Sequence, residues 1–541
     1  MSRQICLSLL ITGSLLINGC ESIIVSNSVK WEDHSFSKAT PFVKNISKEK
    51  WTPYQKTIDS VKQDLSLITY DLTGEFPSNP FQTFEQNYTD IDGVLTFRGN
   101  HTRTSPSFGS LSIQPTLIEK AWEFQTSASR DWGGGAGWTG QPAIVKWEED
   151  IKLMMNIKDE FKLKKDFVEV IYASLDGHVY FFELDTGAQS RPPIQLGNPI
   201  KGSVSIDPRG FPILYVGQGI PQTGPQEIGY RIYSLIDGSL LHFIKGTDGY
   251  SYRAWGAFDG APLINKETDS MFLGGENGLF YGLQLHTTFN KEDKEISVQP
   301  EMTKYRYKIS GNSYQGIENS VAAYKNLVYF SDNGGSIQAI DLRNMEPVWA
   351  LSPTDDTDAS IVVEAMDDVP YLYTGTQVDK QGTSGNSQLR KINGLTGEVV
   401  WNKDIPALSQ LGDHPVNGGL LATPVLGVKE ISNLVIFTIS RYKTMAAGLM
   451  IALDKQTGKE VWRWEMPHYA WSSPVPVYTS HGEAFIIQCD SIGNIHLLDG
   501  VSGELLHTYN FDTNIEASPA IYNNMMVVAN RGGQIGAFYI K

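Results

Sequence analysis

Cysteine is scarce in this chain: Cys6, Cys20 and Cys489 are the only three in 541 residues, and no two are adjacent. So few thiols exclude a disulfide framework, and there is no Cys-x-x-Cys-His string for attaching a haem. Cys489 lies in the apolar run Phe485-Ile486-Ile487-Gln488-Cys489 and reads as a small buried hydrophobe on a strand. Basic runs are missing as well. The formal net charge is −16, and such a surface repels nucleic acid, so no nucleic-acid partner is expected. The ten histidines have no zinc-ligand spacing, and no nucleophile-elbow string occurs. Beyond the first twenty residues, no stretch is long and apolar enough to span a bilayer.

The N-terminus carries an address. Arg3 precedes an apolar run from Leu7 to Ile17 that is too short for a membrane span and suits a secretory leader. It ends in Ile17-Asn18-Gly19-Cys20, which resembles the lipobox of bacterial lipoproteins. That resemblance implies cleavage after residue 19, a lipid on Cys20 and attachment to the extracytoplasmic face of a membrane. In a cell with two membranes, Glu21 after the anchor would not mark inner-membrane retention, so the expected place is the periplasmic side of the outer membrane. Residues 20–116 read as a mostly irregular tether. One short helix is expected within it, capped by Thr52 with Pro53 at its first position.

The rest of the chain repeats itself. Eight segments place small or polar residues before an apolar pair. They begin at Gly140, Gly202, Gly260, Asn319, Ala359, Ala422, Ser472 and Ala517, and Ala422-Thr423-Pro424-Val425-Leu426 is typical. A glycine turn then leads into an alternating strand, as in Asp176-Gly177-His178-Val179-Tyr180-Phe181. A second turn leads to an outer strand that often carries tryptophan, as in Asp454-Lys455-Gln456-Thr457-Gly458-Lys459-Glu460-Val461-Trp462. Eight such units predict an all-β, eight-bladed propeller over residues 117–541, with the tryptophans packed between blades. Only 22 residues follow Pro519, too few for a four-stranded blade. A blade one strand short would expose an edge, so residues 118–126, with Trp122, are expected to pair with residues 533–540 and close the ring. Residues 146–168 are expected to form a partly helical excursion within the first blade.

These three motifs, recurring in fixed order, resemble the PQQ-like β-propeller repeat family over about 420 residues. Phe97-Arg98-Gly99-Asn100-His101-Thr102-Arg103-Thr104 also looks like the lead-in that precedes such propellers. The family includes quinoprotein dehydrogenases and non-enzymatic lipoproteins, among them the propeller subunit of the outer-membrane β-barrel assembly machine. Its dehydrogenases stack the quinone PQQ on a tryptophan, commonly beside paired cysteines, and hold calcium with Glu, Asn and Asp. This chain has no paired cysteines, and its Glu318-Asn319 also fits one copy of the structural repeat.

Ligand chemistry in propellers gathers where the inner strands begin, at one mouth of the channel. The candidates there are Trp138, Trp255, Asp259, Glu318, Asp358, Trp471, Glu516 and Arg531. Acids with aromatic platforms could hold a sugar, a cationic peptide or a metal. Gly135-Ala136-Gly137-Trp138-Thr139-Gly140 matches a dinucleotide string but leads into a strand, so no helix N-terminus awaits a phosphate. Asp355-Asp356-Thr357-Asp358 lacks the glycine and terminal glutamate of a calcium loop and reads as an acidic turn. The sequence therefore leads to the expectation of a non-enzymatic envelope lipoprotein that binds a protein or carbohydrate partner, with no catalytic residue, metal or cofactor. A PQQ- and calcium-dependent dehydrogenase and an outer-membrane assembly factor are the alternatives.

Overall fold

The computed structural model describes residues 64–74, 79, 82–219, 227–413 and 415–541. The leader, Cys20 and the helix expected after Thr52 lie outside the described residues.

Eight antiparallel sheets form the blades. They run over 143–195, 205–245, 263–309, 322–350, 362–408, 425–466 and 475–510, and the eighth over 520–540. That last blade takes its outer strand, Ile118–Gln125, from the N-terminal side. The strand pairs antiparallel with Gln534–Ile540, with Trp122 opposite Ala537, so the ring closes as its strand count requires. Two short helices, Glu149–Met154 and Asp159–Lys162, fill the excursion in blade 1.

The repeated residues explain how the blades join. In the inner-strand motif, the second position is usually Ser or Thr. Its hydroxyl accepts a backbone N–H from the matching residue one blade earlier: Gln141 to Ser203 at 3.0 Å, Ala261 to Ser320 at 2.9 Å, Ser320 to Ser360 at 2.9 Å. The belt continues through Thr423, Ser473 and Ser518. Proline is tolerated at the next position because the innermost strand is a sheet edge. At the rim, each outer-strand tryptophan lies on the turn glycine of the next blade. Trp122, Trp349, Trp401 and Trp462 face Gly187, Gly397, Gly458 and Gly503, where an added Cβ would sit 2.4–2.9 Å from the indole. Their indole N–H groups donate to Leu184, Gly394, Lys455 and Gly500 carbonyls at 2.7–3.2 Å. The tryptophan therefore packs between blades, and the glycine recurs because it leaves room for the ring and takes a left-handed φ of 67–75°.

The extension is irregular but threaded into the ring. Ile68–Gly74 extends blade 3 outward against Glu301–Ile309. Residues 93–111 close one end of the channel, and every blade meets this plug. Gly93 pairs with Val145 of blade 1, and Leu95 O accepts from Ile206 N of blade 2. Arg103 donates to Ala261 O of blade 3 and Val321 O of blade 4. Thr102 O accepts from Val363 N of blade 5. Arg98 donates to Pro424 O of blade 6 and Pro474 O of blade 7. Ser107–Phe108 runs parallel to Ala520–Tyr522 of blade 8. Inner strands carry free edge carbonyls and N–H groups, and the plug supplies partners the sheets cannot. Burial lowers the guanidinium pKa to about 9 at Arg98 and about 10 at Arg103, so both remain charged at neutral pH.

Candidate ligand site at the channel mouth

The plug backbone pairs near the C-terminal ends of inner strands, at Val145, Ile206 and Tyr522, while Arg98 and Arg103 reach through to carbonyls just before them; the opposite mouth lies where those strands begin. The residue just before each repeat occupies one slot per blade. In blade order these are Thr139, Lys201, Asp259, Glu318, Asp358, Leu421, Trp471 and Glu516. Five of the eight sequence candidates thus share one position of the repeat.

The structure draws the charged members together. Lys201 Nζ lies 2.5 Å from Asp259 Oδ2 and 3.6 Å from Glu318 Oε2. Glu276, on the turn between the second and third strands of blade 3, joins Asp259 and Glu318, one carboxylate oxygen from each lying within 4.8 Å of the others. Asn333 links the trio to the next acids, donating to Glu318 at 3.0 Å and to Asp358 at 3.4 Å. Gln377 donates to Asp358 as well. Arg253 approaches Glu276 at 4.0 Å and donates to Asn333 at 2.7 Å. On the other side, Arg531 lies 3.7 Å from Glu516. Trp138 lies beneath Lys201, with Nζ 5.2 Å from the ring. Trp471 stands apart with Tyr469, near Arg441. Trp255 is 42% exposed on the lead-in to blade 3.

This ring is short of positive charge. Burial, opposed by Lys201, raises Asp259 to about 6. Asp358 rises to about 7 through burial and the charge on Glu318. Burial and neighbouring carboxylates push Glu276 and Asp356 well above the usual range. For Glu318, burial acts upward, but Lys201 and the bonds from Glu276 and Asn333 outweigh it and hold the carboxyl below its ordinary value. Burial opposes the Lys201 ammonium too, yet Asp259, Glu318 and Glu276 hold its pKa well above normal. The cluster therefore titrates as a unit that retains protons near neutrality.

Sequence reasoning missed the central cation, Lys201, and the two amides, Asn333 and Gln377. Asn319 donates its amide N–H groups to Ser331 and to Thr357 O, while its buried Oδ1 has no hydrogen-bond partner. Asp355 has its oxygens filled by the N–H groups of Asp356, Asp379 and Lys380 and by Gln381, as an acidic turn requires. The glycine-rich string before Pro142 leads into the strand Ala143–Val145, as expected.

Comparison with known proteins agrees with the architecture. The family described as outer membrane protein assembly factor BamB matches residues 446–541. A curated 1-butanol dehydrogenase (quinone) of Thauera butanivorans is 25% identical over 189 residues, 34% of this chain; the match spans 29% of that protein's length. Quinohemoprotein alcohol dehydrogenases from Comamonas testosteroni and Pseudomonas putida HK5 superpose with TM-scores of 0.57 and 0.55 at 12% identity. The coverage is 84% and 83% of this chain, and 81% and 80% of those chains. The chain is an eight-bladed propeller with the PQQ-like fold of those quinohemoprotein alcohol dehydrogenases, and its residues 446–541 are similar to the BamB family. The expectation that it is not an enzyme is corrected by these relatives, since the curated match and both structural neighbours are dehydrogenases.

Proposed function

We propose that the protein is a cell-envelope propeller, tethered by lipid on Cys20 on the extracytoplasmic side, that captures a partner by a cationic group at its acid ring. The charge imbalance carries this reading. One ammonium, Lys201, serves Asp259, Glu276 and Glu318, with Asp356 and Asp358 behind them. Buried carboxylates without counter-charge are costly, and an incoming cation relieves that cost while displacing protons. Tyr252 and Tyr314 already carry Arg306, Lys308 and Lys380 over their rings, whereas Trp255, 42% exposed on the lead-in to blade 3, offers a ring face for the same cation. A basic peptide is the simplest such ligand. Titration calorimetry with trilysine is expected to show binding that weakens about tenfold or more in the Asp259→Asn, Glu318→Gln double variant. Equal affinity of variant and parent would defeat the proposal.

A second reading is favoured by the butanol dehydrogenase match: dehydrogenation with calcium and PQQ. The three carboxylates offer hard oxygen ligands that suit calcium, although Lys201 already lies against two of them. The quinone suits the mouth poorly. It bears carboxylates of its own, and these would meet a ring of like charge. Dye-linked oxidation of 1-butanol after adding calcium and PQQ would establish the second reading, and no oxidation would remove it.

A further inference from the structure

The plug end of the channel holds a separate site. A groove of about 890 Å³ opens between residues 83–87, the plug turn 100–104 and the first turns of blades 4, 5 and 6. That volume lies in the upper range for small-ligand cavities. No acid-ring residue lines it.

Its charges are already matched. Lys325 reaches Asp368 at 2.8 Å across blades 4 and 5. Glu364 accepts from Lys455 at 2.7 Å and from the Tyr373 hydroxyl at 2.9 Å. His101 is neutral, because burial and the Arg103 charge lower its pKa to about 3. Glu85 alone among the described lining residues has no ion pair. Two of its three acids are taken, which leaves a cationic ligand the single carboxylate of Glu85, and an anionic one meets Glu85 in a chain of net charge −16. The rest of the lining that is free to bind is polar and uncharged. Gln86 and Asn87 present exposed amides, and Tyr324 a half-buried ring that has the Lys325 ammonium 5.4 Å from its centre and one face left for a ligand. The Nδ1 atom of buried His101, which lines the groove, has no hydrogen-bond partner in the protein. Lys325 and Asp368 both adopt left-handed φ, 54° and 64°, where glycine is easier. Both sit in two-residue hairpin turns, whose geometry requires such a φ, and there they display two side chains on the groove wall.

We infer that this groove binds a neutral oligosaccharide, its hydroxyls bonding the amides and a sugar face lying on Tyr324. Calorimetry on the intact chain with the β-1,4 trimers of glucose and N-acetylglucosamine and the α-1,4 trimer of glucose provides the test. At least one is expected to bind with Kd of about 1 mM or tighter. Ala365→Trp and Val428→Trp, at exposed groove positions, are expected to weaken it by about tenfold or more by filling the space, while trilysine binding at the mouth and the Tm stay unchanged. The inference is overturned if no trimer binds, if binding survives both substitutions, or if trilysine displaces the sugar.

Discussion

Replacing Lys201 by methionine removes the one ammonium that the described residues place within the Asp259–Glu276–Glu318 trio and keeps most of the stem volume. The pair it breaks is tight, 2.5 Å to a carboxylate of buried Asp259. Removing one partner of such a pair typically costs about 3–5 kcal/mol. The cost depends on pH in a definite direction. Asp259 and Asp358 already have folded pKa values of about 6 and 7, above the unfolded carboxyl value. The native state therefore holds more protons than the unfolded chain, and their contribution to stability falls as pH rises from about 4 through 7. Without Lys201 those carboxyls are driven further toward the protonated form. At pH 8 the full loss is expected; at pH 5 Asp259 and Asp358 are neutral and the loss is smaller, what remains coming from Glu318, which Lys201 holds below its ordinary pKa. Equilibrium urea unfolding of parent and variant at the two pH values measures the difference. An equal loss at both, or no loss at pH 8, would refute the reasoning.

Gly503→Ala puts a methyl 2.4 Å from the Trp462 ring at a φ of +74° and is expected to cost about 2–4 kcal/mol. Gly382→Ala, at a φ of +90° with nothing within 4 Å, is expected to cost only about 1 kcal/mol, so urea melts of the two separate ring contact from backbone strain. Arg103→Met strands the carbonyls of Ala261, Val321 and Phe97 and is expected to lower stability by about 3 kcal/mol, read in the same melts. Cys489 is fully buried, and its thiol pKa is raised by burial and by Asp490, so the native protein is expected to resist iodoacetamide until denatured; rapid native labelling in a mass spectrum would contradict this.

The ring of blades was legible because its determinants are local and repeated. The Ser or Thr of the belt, the turn glycine and the outer tryptophan each recur at a fixed place, and the shortage of chain after Pro519 announced the closing strand. The acid ring was legible in part for the same reason. Asp259, Glu318, Asp358, Trp471 and Glu516 share a repeat slot. Lys201 holds that slot in blade 2, just before Gly202, and aligning the copies would have revealed it; a search for acids and aromatics passed over it. Of the plug, only the lead-in segment 97–104 was legible, by resemblance, and its bonding to the blades was not. Each of its residues bonds to a different blade, so residues 93–111 show no periodicity of their own. The groove behind it is assembled from segments as far apart as Phe84 and Val428, and no spacing in the sequence joins them.

Proton counting on ligand binding bears most directly on the claim that the mouth is a carboxylate ring awaiting a cation. Calorimetric titration with trilysine at pH 6.5, in two buffers of different ionisation enthalpy, reads the protons exchanged. Net release is predicted, because the incoming charge ionises groups such as Asp358 that hold protons at that pH. Binding without release, or no binding, would contradict the account.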